Sequence, residues 1–154
     1  MANGRVEHIH VTSGAGAPMR SLTRVRAIAG VGLEGDRYAM GVGHYSKTPA
    51  TGRHLTLIEA EQLEWLMNDQ LIELKPAEAR RNLTTRGIRL NPLVGKQFWI
   101  GAVLCKGMRL CEPCDYLDKL TGKIMLKPLV KRAGLRAEIL TDGEIAVGDE
   151  IRSD

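Results

Sequence analysis

Gln97-Phe-Trp-Ile-Gly-Ala-Val-Leu-Cys-Lys-Gly-Met-Arg-Leu110 decides the fold class. Its apolar, aromatic and β-branched residues come in short runs interrupted by glycine, a pattern of strands separated by tight turns. Two strands are expected, over 98–103 and 104–110. Outward from this stretch the same texture recurs. Residues 135–140 and 144–151 read as strands, with Thr141-Asp142-Gly143 as a turn between them because Asp-Gly tolerates positive φ. Upstream, residues 6–12, 24–28 and 55–58 are further strand candidates, the first running into the loop Ser13-Gly-Ala-Gly-Ala-Pro18. Seventeen glycines punctuate the whole chain in this way.

One segment has a different period. Over 59–72, Ala60, Leu63, Leu66, Met67 and Leu71 recur at helical spacing and predict a helix with one apolar stripe. Glu59 and Glu61 fall in its first turn, where carboxylates suit the helix dipole. Pro76 suits the first position of a short turn over 76–80. A second helix over 120–133 is opposed by Gly122 and Pro128. The expected architecture is a single mostly-β domain over residues 1–154, closed or nearly closed into a barrel so that few strand edges are left open. With its one or two helices it also fits an α+β description.

The chain has 154 residues, 44% apolar and 26% charged, the balance of a globular domain with a sizeable core. No apolar run approaches the roughly 20 residues of a membrane helix. The N-terminal stretch lacks the basic-then-apolar order of a secretory signal. A cytoplasmic location follows as an expectation. A formal charge of +4 favours anionic partners. With one Phe, two Trp and three Tyr, and with basic residues scattered or in pairs such as Arg80–Arg81 and Lys131–Arg132, neither a nucleic acid nor a membrane is the expected partner.

Three cysteines, Cys105, Cys111 and Cys114, form no disulfide framework and are read as reduced thiols. Leu110-Cys-Glu-Pro-Cys114 has Cys-x-x-Cys spacing. A structural zinc would need Cys105 and one of His8, His10, His44 or His54 as well, and no second pair follows at finger spacing. A thioredoxin-like pair needs a βαβ setting that is missing here. Cys105 reads as a small core residue, and Cys111 as either core or site. Cys114, after Pro113 and before Asp115, stands where a strand runs into a loop, and a loop thiolate binds soft metals or accepts sulfur.

A second constellation is Glu78-Ala-Arg80-Arg81-Asn82-Leu-Thr84-Thr85-Arg86-Gly87. Arg offers a fork to phosphate, and Asn and Thr supply directional hydrogen bonds to a polar ring. A solvated loop with a capping Asn is the plainer alternative. Gly32-Leu-Glu-Gly35-Asp36-Arg37-Tyr38 implies a glycine turn in which Asp36 caps or pairs with an Arg, and it lacks nucleotide-motif spacing. His54 beside Arg53 reads as a hydrogen-bonded structural histidine or a general base. No G-x-S-x-G elbow supports a serine hydrolase.

Taken in order, these pieces resemble the MOSC domain, the module also found at the C-terminus of molybdenum-cofactor sulfurases. The matching stretches are Gly32-Leu-Glu-Gly-Asp-Arg37, Arg53-His-Leu-Thr-Leu-Ile58, Arg80-Arg-Asn-Leu-Thr-Thr-Arg-Gly87, Asn91-Pro-Leu-Val-Gly95, Phe98-Trp-Ile-Gly101, Leu110-Cys-Glu-Pro-Cys114, Gly134-Leu-Arg-Ala137 and Gly148-Asp149. The resemblance implies a β-barrel-like fold with a cleft for the molybdenum cofactor or its pterin. It makes Cys114 the cysteine that ligates molybdenum or carries sulfur. Arg80, Arg81, Asn82, Thr84 and Thr85 become pterin and phosphate contacts, with Arg37 and Arg53 as weaker carry-overs, while Gly148 and Asp149 close a strand.

The pyridoxal-phosphate domain of the large sulfurases has no counterpart in this sequence, so a separate desulfurase or reductase is the expected protein partner. Three readings follow: a cofactor-holding component in the reduction of N-hydroxylated compounds, a sulfur carrier taking a persulfide on Cys114, or a non-catalytic binding module.

Overall fold

A computed structural model describes residues 2–14, 16–40, 54–111 and 129–153. Seven strands close into a barrel: β1 (Ala2–Val11), β5 (Leu55–Glu59), β6 (Leu83–Arg86), β7 (Gln97–Ile100), β8 (Val103–Leu110), β9 (Leu135–Ile139) and β11 (Glu150–Ser153). Their order is β11-β7-β8-β9-β5-β6-β1, and β1 pairs with β11 to close the ring. The short β2 (Arg20–Leu22) lies on the far part of β1, and β3 (Arg24–Ile28), β4 (Gly32–Leu33) and β10 (Gly143–Ala146) form a small second sheet. Closure gives β1 and β11 partners at what would otherwise be two open edges.

β5 and β6 form the one parallel pair in the barrel, with Leu57 opposite Leu83 and Glu59 opposite Thr85. Parallel neighbours need a crossover, and helix α2 (Ala60–Gln70), the second after the four-residue α1 (Arg37–Met40), supplies it directly from the end of β5. The helix therefore lies on the outer face of the strands it connects. β5 is buried on both faces. Leu55 and Leu57 join the barrel core, while Ile58 packs beneath α2 with Leu63, Leu66, Leu74, Ala79 and Cys111. Inside the barrel Ile9, Leu83, Phe98, Ile100, Leu135 and Ile151 are buried together, each contributing roughly 1.5–3 kcal/mol.

The helix is narrower than its sequence stripe. Ala60, Leu63 and Leu66 are buried, but Met67 is 46% exposed and Leu71 84% exposed. Leu71 is the C-cap at φ 56, and the Ile72 N–H returns to the Leu66 carbonyl at 3.1 Å. This αL closure ends the helix before the last apolar residues reach the core. Glu59 lies at the helix start but makes no cap hydrogen bond. It is buried instead, and its Oε2 accepts from the Leu90 N–H at 3.0 Å.

The region 144–151 is two strands rather than one. The chain leaves β10 and enters β11 in the other sheet, through a turn at Gly148 (φ 96) where Asp149 Oδ2 accepts from the Ala146 N–H at 2.9 Å. Gly148 and Asp149 do close a strand end, as the resemblance implied. The strand expected over 98–103 stops at Ile100, because Gly101 (φ 57) opens a turn before β8. Thr141-Asp142-Gly143 is a turn but not a hairpin: β9 pairs with β5 and β8, and β10 pairs with β3. Asp142 acts through its side chain, whose Oδ1 accepts from the Ala29 N–H at 2.7 Å. Of the helix weighed over 120–133, residues 129–133 form turns, and the rest lies outside the described residues. Among those residues no helix is long and apolar enough to cross a membrane.

Candidate functional site

The turn entering β6 carries the polar constellation. Asn82 is fully buried and committed to the scaffold. Its Oδ1 accepts from the Thr56 N–H at 3.0 Å and pairs with Thr56 Oγ1 at 3.2 Å, and its Nδ2 donates to the His10 carbonyl at 3.2 Å. It thus joins β1, β5 and β6 on the outer face of the barrel. Thr85 is also buried, with Oγ1 donating to the Ile58 carbonyl at 3.4 Å.

Arg80 and Arg81 stand just before this seam, and Arg37 reaches the Arg80 carbonyl. Asp36 is fully buried; its Oδ1 accepts from the Thr12 N–H at 3.1 Å and from Arg37 Nη1 at 3.2 Å. Arg37 reaches with Nη2 to Tyr38 Oη and to the Arg80 carbonyl, both at 3.1 Å. Arg80 has φ 57 and donates from Nη1 to the Ala17 carbonyl at 2.7 Å. Positive φ is costly for a residue that carries a Cβ, and the Arg37 and Ala17 bonds fix the turn that requires it. Arg81 is 9% exposed, and its Nε donates to the Ala133 carbonyl at 2.9 Å. Among the described residues Arg81 makes no ion pair.

The structure therefore joins Arg37 to the Arg80 backbone, sends the Arg80 and Arg81 side chains to different partners, Ala17 and Ala133, and places Thr84 elsewhere. Thr84 stands opposite His8 on β1 and lines a groove under α2. Its Oγ1 is buried with no described partner, as is Nδ1 of His10. Burial, and then the neighbouring His8, hold the His10 imidazole below its ordinary pKa. The pairing of Asp36 with an arginine was legible in the glycine turn. The orphaned atoms of His10 and Thr84 were not, because burial of a side chain on an outer barrel face depends on where α2 and residues 74–79 pack.

Cys114 and Arg53 lie outside the described residues. Cys105 points into the barrel core, where burial pushes its thiol up to about 12. Cys111 is buried in the separate cluster under α2, so both read as core. The Cys111 N–H donates to the Gly134 carbonyl at 2.8 Å, beside the Ala133 that holds Arg81. Gly134 has φ 107, and a Cβ there would run into the Leu57 carbonyl. His54 is structural: its Nδ1 accepts from the Ile139 N–H at 3.1 Å, and burial lowers its pKa against a raising effect of Glu138. Among the described residues no three His, Cys, Asp or Glu side chains gather to hold a metal.

A larger cleft of about 740 Å³ opens where β5 ends, lined by Glu59, Gln62, Arg89, Lys131 and Arg132. Arg132 stacks 3.8 Å from the Trp65 ring and donates to Gln62 Oε1 at 2.7 Å.

A family model of the MOSC domain matches residues 38–152. Among solved structures, the YuaD protein from Bacillus subtilis superimposes with a TM-score of 0.80 at 13% identity, covering 97% of this chain and 94% of that one. YiiM from Geobacillus stearothermophilus gives 0.70 at 13% identity over 96% and 73%. YiiM from Escherichia coli gives 0.57 at 19% identity over 97% and 70%. At these identities the likeness is one of fold. No curated protein matches the sequence.

Proposed function

This chain belongs to the MOSC domain family, and on that premise we propose that it holds the molybdenum cofactor on the outside of the barrel, with Arg81 and Arg80 toward the phosphate and Cys114 Sγ as the metal ligand. The observation that carries the reading is Arg81. An arginine residue only 9% exposed, with one backbone acceptor and no carboxylate partner among the described residues, is a largely buried cation that a bound anion would pair. A fork toward phosphate is the geometry Arg serves best.

Cys114 is three peptide links from Cys111, so its Cα stays within about 11 Å of the Cys111 Cα. Cys111 in turn is bonded to the residue following Ala133. The donor set, a thiol for a soft metal and arginines for an anion, fits the group. Asn82 and Thr85 serve this site by fixing the turn, since their side chains are spent on β1 and β5. The bound group supplies two-electron oxygen-atom chemistry at molybdenum. With the group bound, an N-hydroxylated compound would be reduced to the amine with loss of water, the two electrons coming from a separate reductase and the two protons from solvent. Molybdenum and pterin content of protein purified from a cofactor-producing host tests the reading, and absence of both sinks it.

The burial of Cys111 favours a second reading, sulfur carriage. A persulfide on Cys114 has no exposed thiol at position 111 to displace it. The Cys114 thiolate attacks the terminal sulfur of a desulfurase persulfide; the new S–S bond forms as the donor's thiolate leaves. Incubation with a desulfurase and cysteine, followed by mass analysis of the Cys114 peptide, checks this. A gain of one sulfur supports it, and an unmodified peptide overturns it.

A further inference from the structure

Between α2 and the outer face of β1 and β6 runs a groove of about 430 Å³, within the range of roughly 300–1,000 Å³ typical of small-molecule sites. Leu63, Met67, Leu74 and Pro76 form its apolar wall, and His8 and Thr84 its floor. Thr84 is 1% exposed, yet its Oγ1 has no described partner. A buried hydroxyl left unpaired costs free energy that the near-isosteric valine avoids. Beside it the His8 and His10 rings stand 6.1 Å apart, and His10 Nδ1 is also buried without a described partner. His10 does not line the groove, but the orphaned Thr84 hydroxyl does, and such a hydroxyl on an apolar-walled groove is what a hydrogen-bonding ligand satisfies.

The charge at the groove's end selects the ligand. Arg86 sits between Glu7 and Glu64, donating to Glu7 from Nε and to Glu64 Oε2 from Nη2 at 2.9 Å. Two carboxylates share this guanidinium, leaving one net negative charge among these three groups, with Arg5 also acting on Glu7. An anion is disfavoured there, in contrast to the arginine turn at the start of β6.

We propose that this groove binds a small neutral or cationic molecule with an apolar body and an amine or hydroxyl head that engages Thr84 Oγ1. The proposal is independent of the cofactor reading, because it concerns the groove under α2 rather than the turn into β6, and the opposite ligand charge.

Amide chemical shifts of the ¹⁵N-labelled protein, titrated with benzylamine, benzyl alcohol and benzoate, test it. Saturable shifts at His8, Thr84 and Met67 are expected for the amine and the alcohol but not for benzoate. Thr84→Val is expected to weaken both by about fivefold to tenfold, and Thr84→Ser to bind as the native chain does. Met67→Arg, at a half-exposed rim position, is expected to weaken benzylamine and provides a second reading if Thr84→Val is insoluble. Overturning results are the absence of saturable shifts in the native chain, equal binding of benzoate, undiminished affinity in Thr84→Val, or undiminished benzylamine affinity in Met67→Arg.

Discussion

Arg81 Nε donates to the Ala133 carbonyl at 2.9 Å, one residue before the Gly134 carbonyl that accepts from the Cys111 N–H at 2.8 Å. A buried cation on the turn into β6 is thereby tied to the place where β8 ends and β9 begins. The chain between those strands carries Cys114. The Arg81 side chain and the Cys111 backbone, far apart in sequence, are joined through two adjacent backbone carbonyls, and this link underlies the functional proposal.

The thiols are expected to separate by reactivity. Cys105 is buried, with its thiol pushed up to about 12, and Cys111 is fully buried under α2. Thiolate character and access govern alkylation. Iodoacetamide on the native protein is expected to modify Cys114 alone, and all three cysteines after unfolding in guanidinium, as read by peptide mass. Labelling of Cys105 or Cys111 at a comparable native rate would contradict this assignment.

Asn82 is expected to be the most costly polar truncation at the site. Asn82→Ala strands the Thr56 N–H and the His10 carbonyl in a buried seam. The loss of stability should be about 2–4 kcal/mol in urea unfolding of the cofactor-free protein. A loss under about 1 kcal/mol would mean that the seam admits water.

Stability is expected to fall on mild acidification. His10 and His54 have folded-state pKa values below the ordinary 6.5, chiefly through burial. Below that value the unfolded chain takes up protons that the folded chain refuses. Their contribution is complete above pH 6.5 and is lost as pH falls through it toward the folded values. Glu7 and Glu64, lowered by hydrogen bonds to Arg86, act only below their ordinary 4.5. Urea unfolding at about pH 5.5 and about pH 7.5 checks this. The difference should shrink in His10→Asn/His54→Asn, and an unchanged difference would assign it to other groups.

Much of the barrel is legible in sequence because its longer strands carry their own apolar pattern. Arg24–Ile28 has the expected bounds, and 55–58 and 104–110 extend by only one residue each. What local pattern cannot carry is the choice of sheet. Residues 144–151 look continuous, yet the chain changes sheets at Gly148. The two-residue β4 and the four-residue β6 are too short to show a period. β1 begins at Ala2 through polar residues and Gly4, where a Cβ would meet the Arg86 carbonyl and Ile88, a constraint set by a distant neighbour. At the site, Arg80–Asn82 were legible as a constellation. The division of labour within it was not, since only packing reveals that Asn82 serves the scaffold while Thr84 faces a groove.

Molybdenum and pterin content, measured on protein purified anaerobically from a cofactor-producing host, tests the central claim most directly in the native chain, Cys114→Ala and Arg81→Met. The account predicts near-stoichiometric molybdenum and pterin in the native protein. It predicts loss of molybdenum in Cys114→Ala, and at least about tenfold poorer retention of both in Arg81→Met. A native protein free of both, or variants that retain them fully, would contradict it.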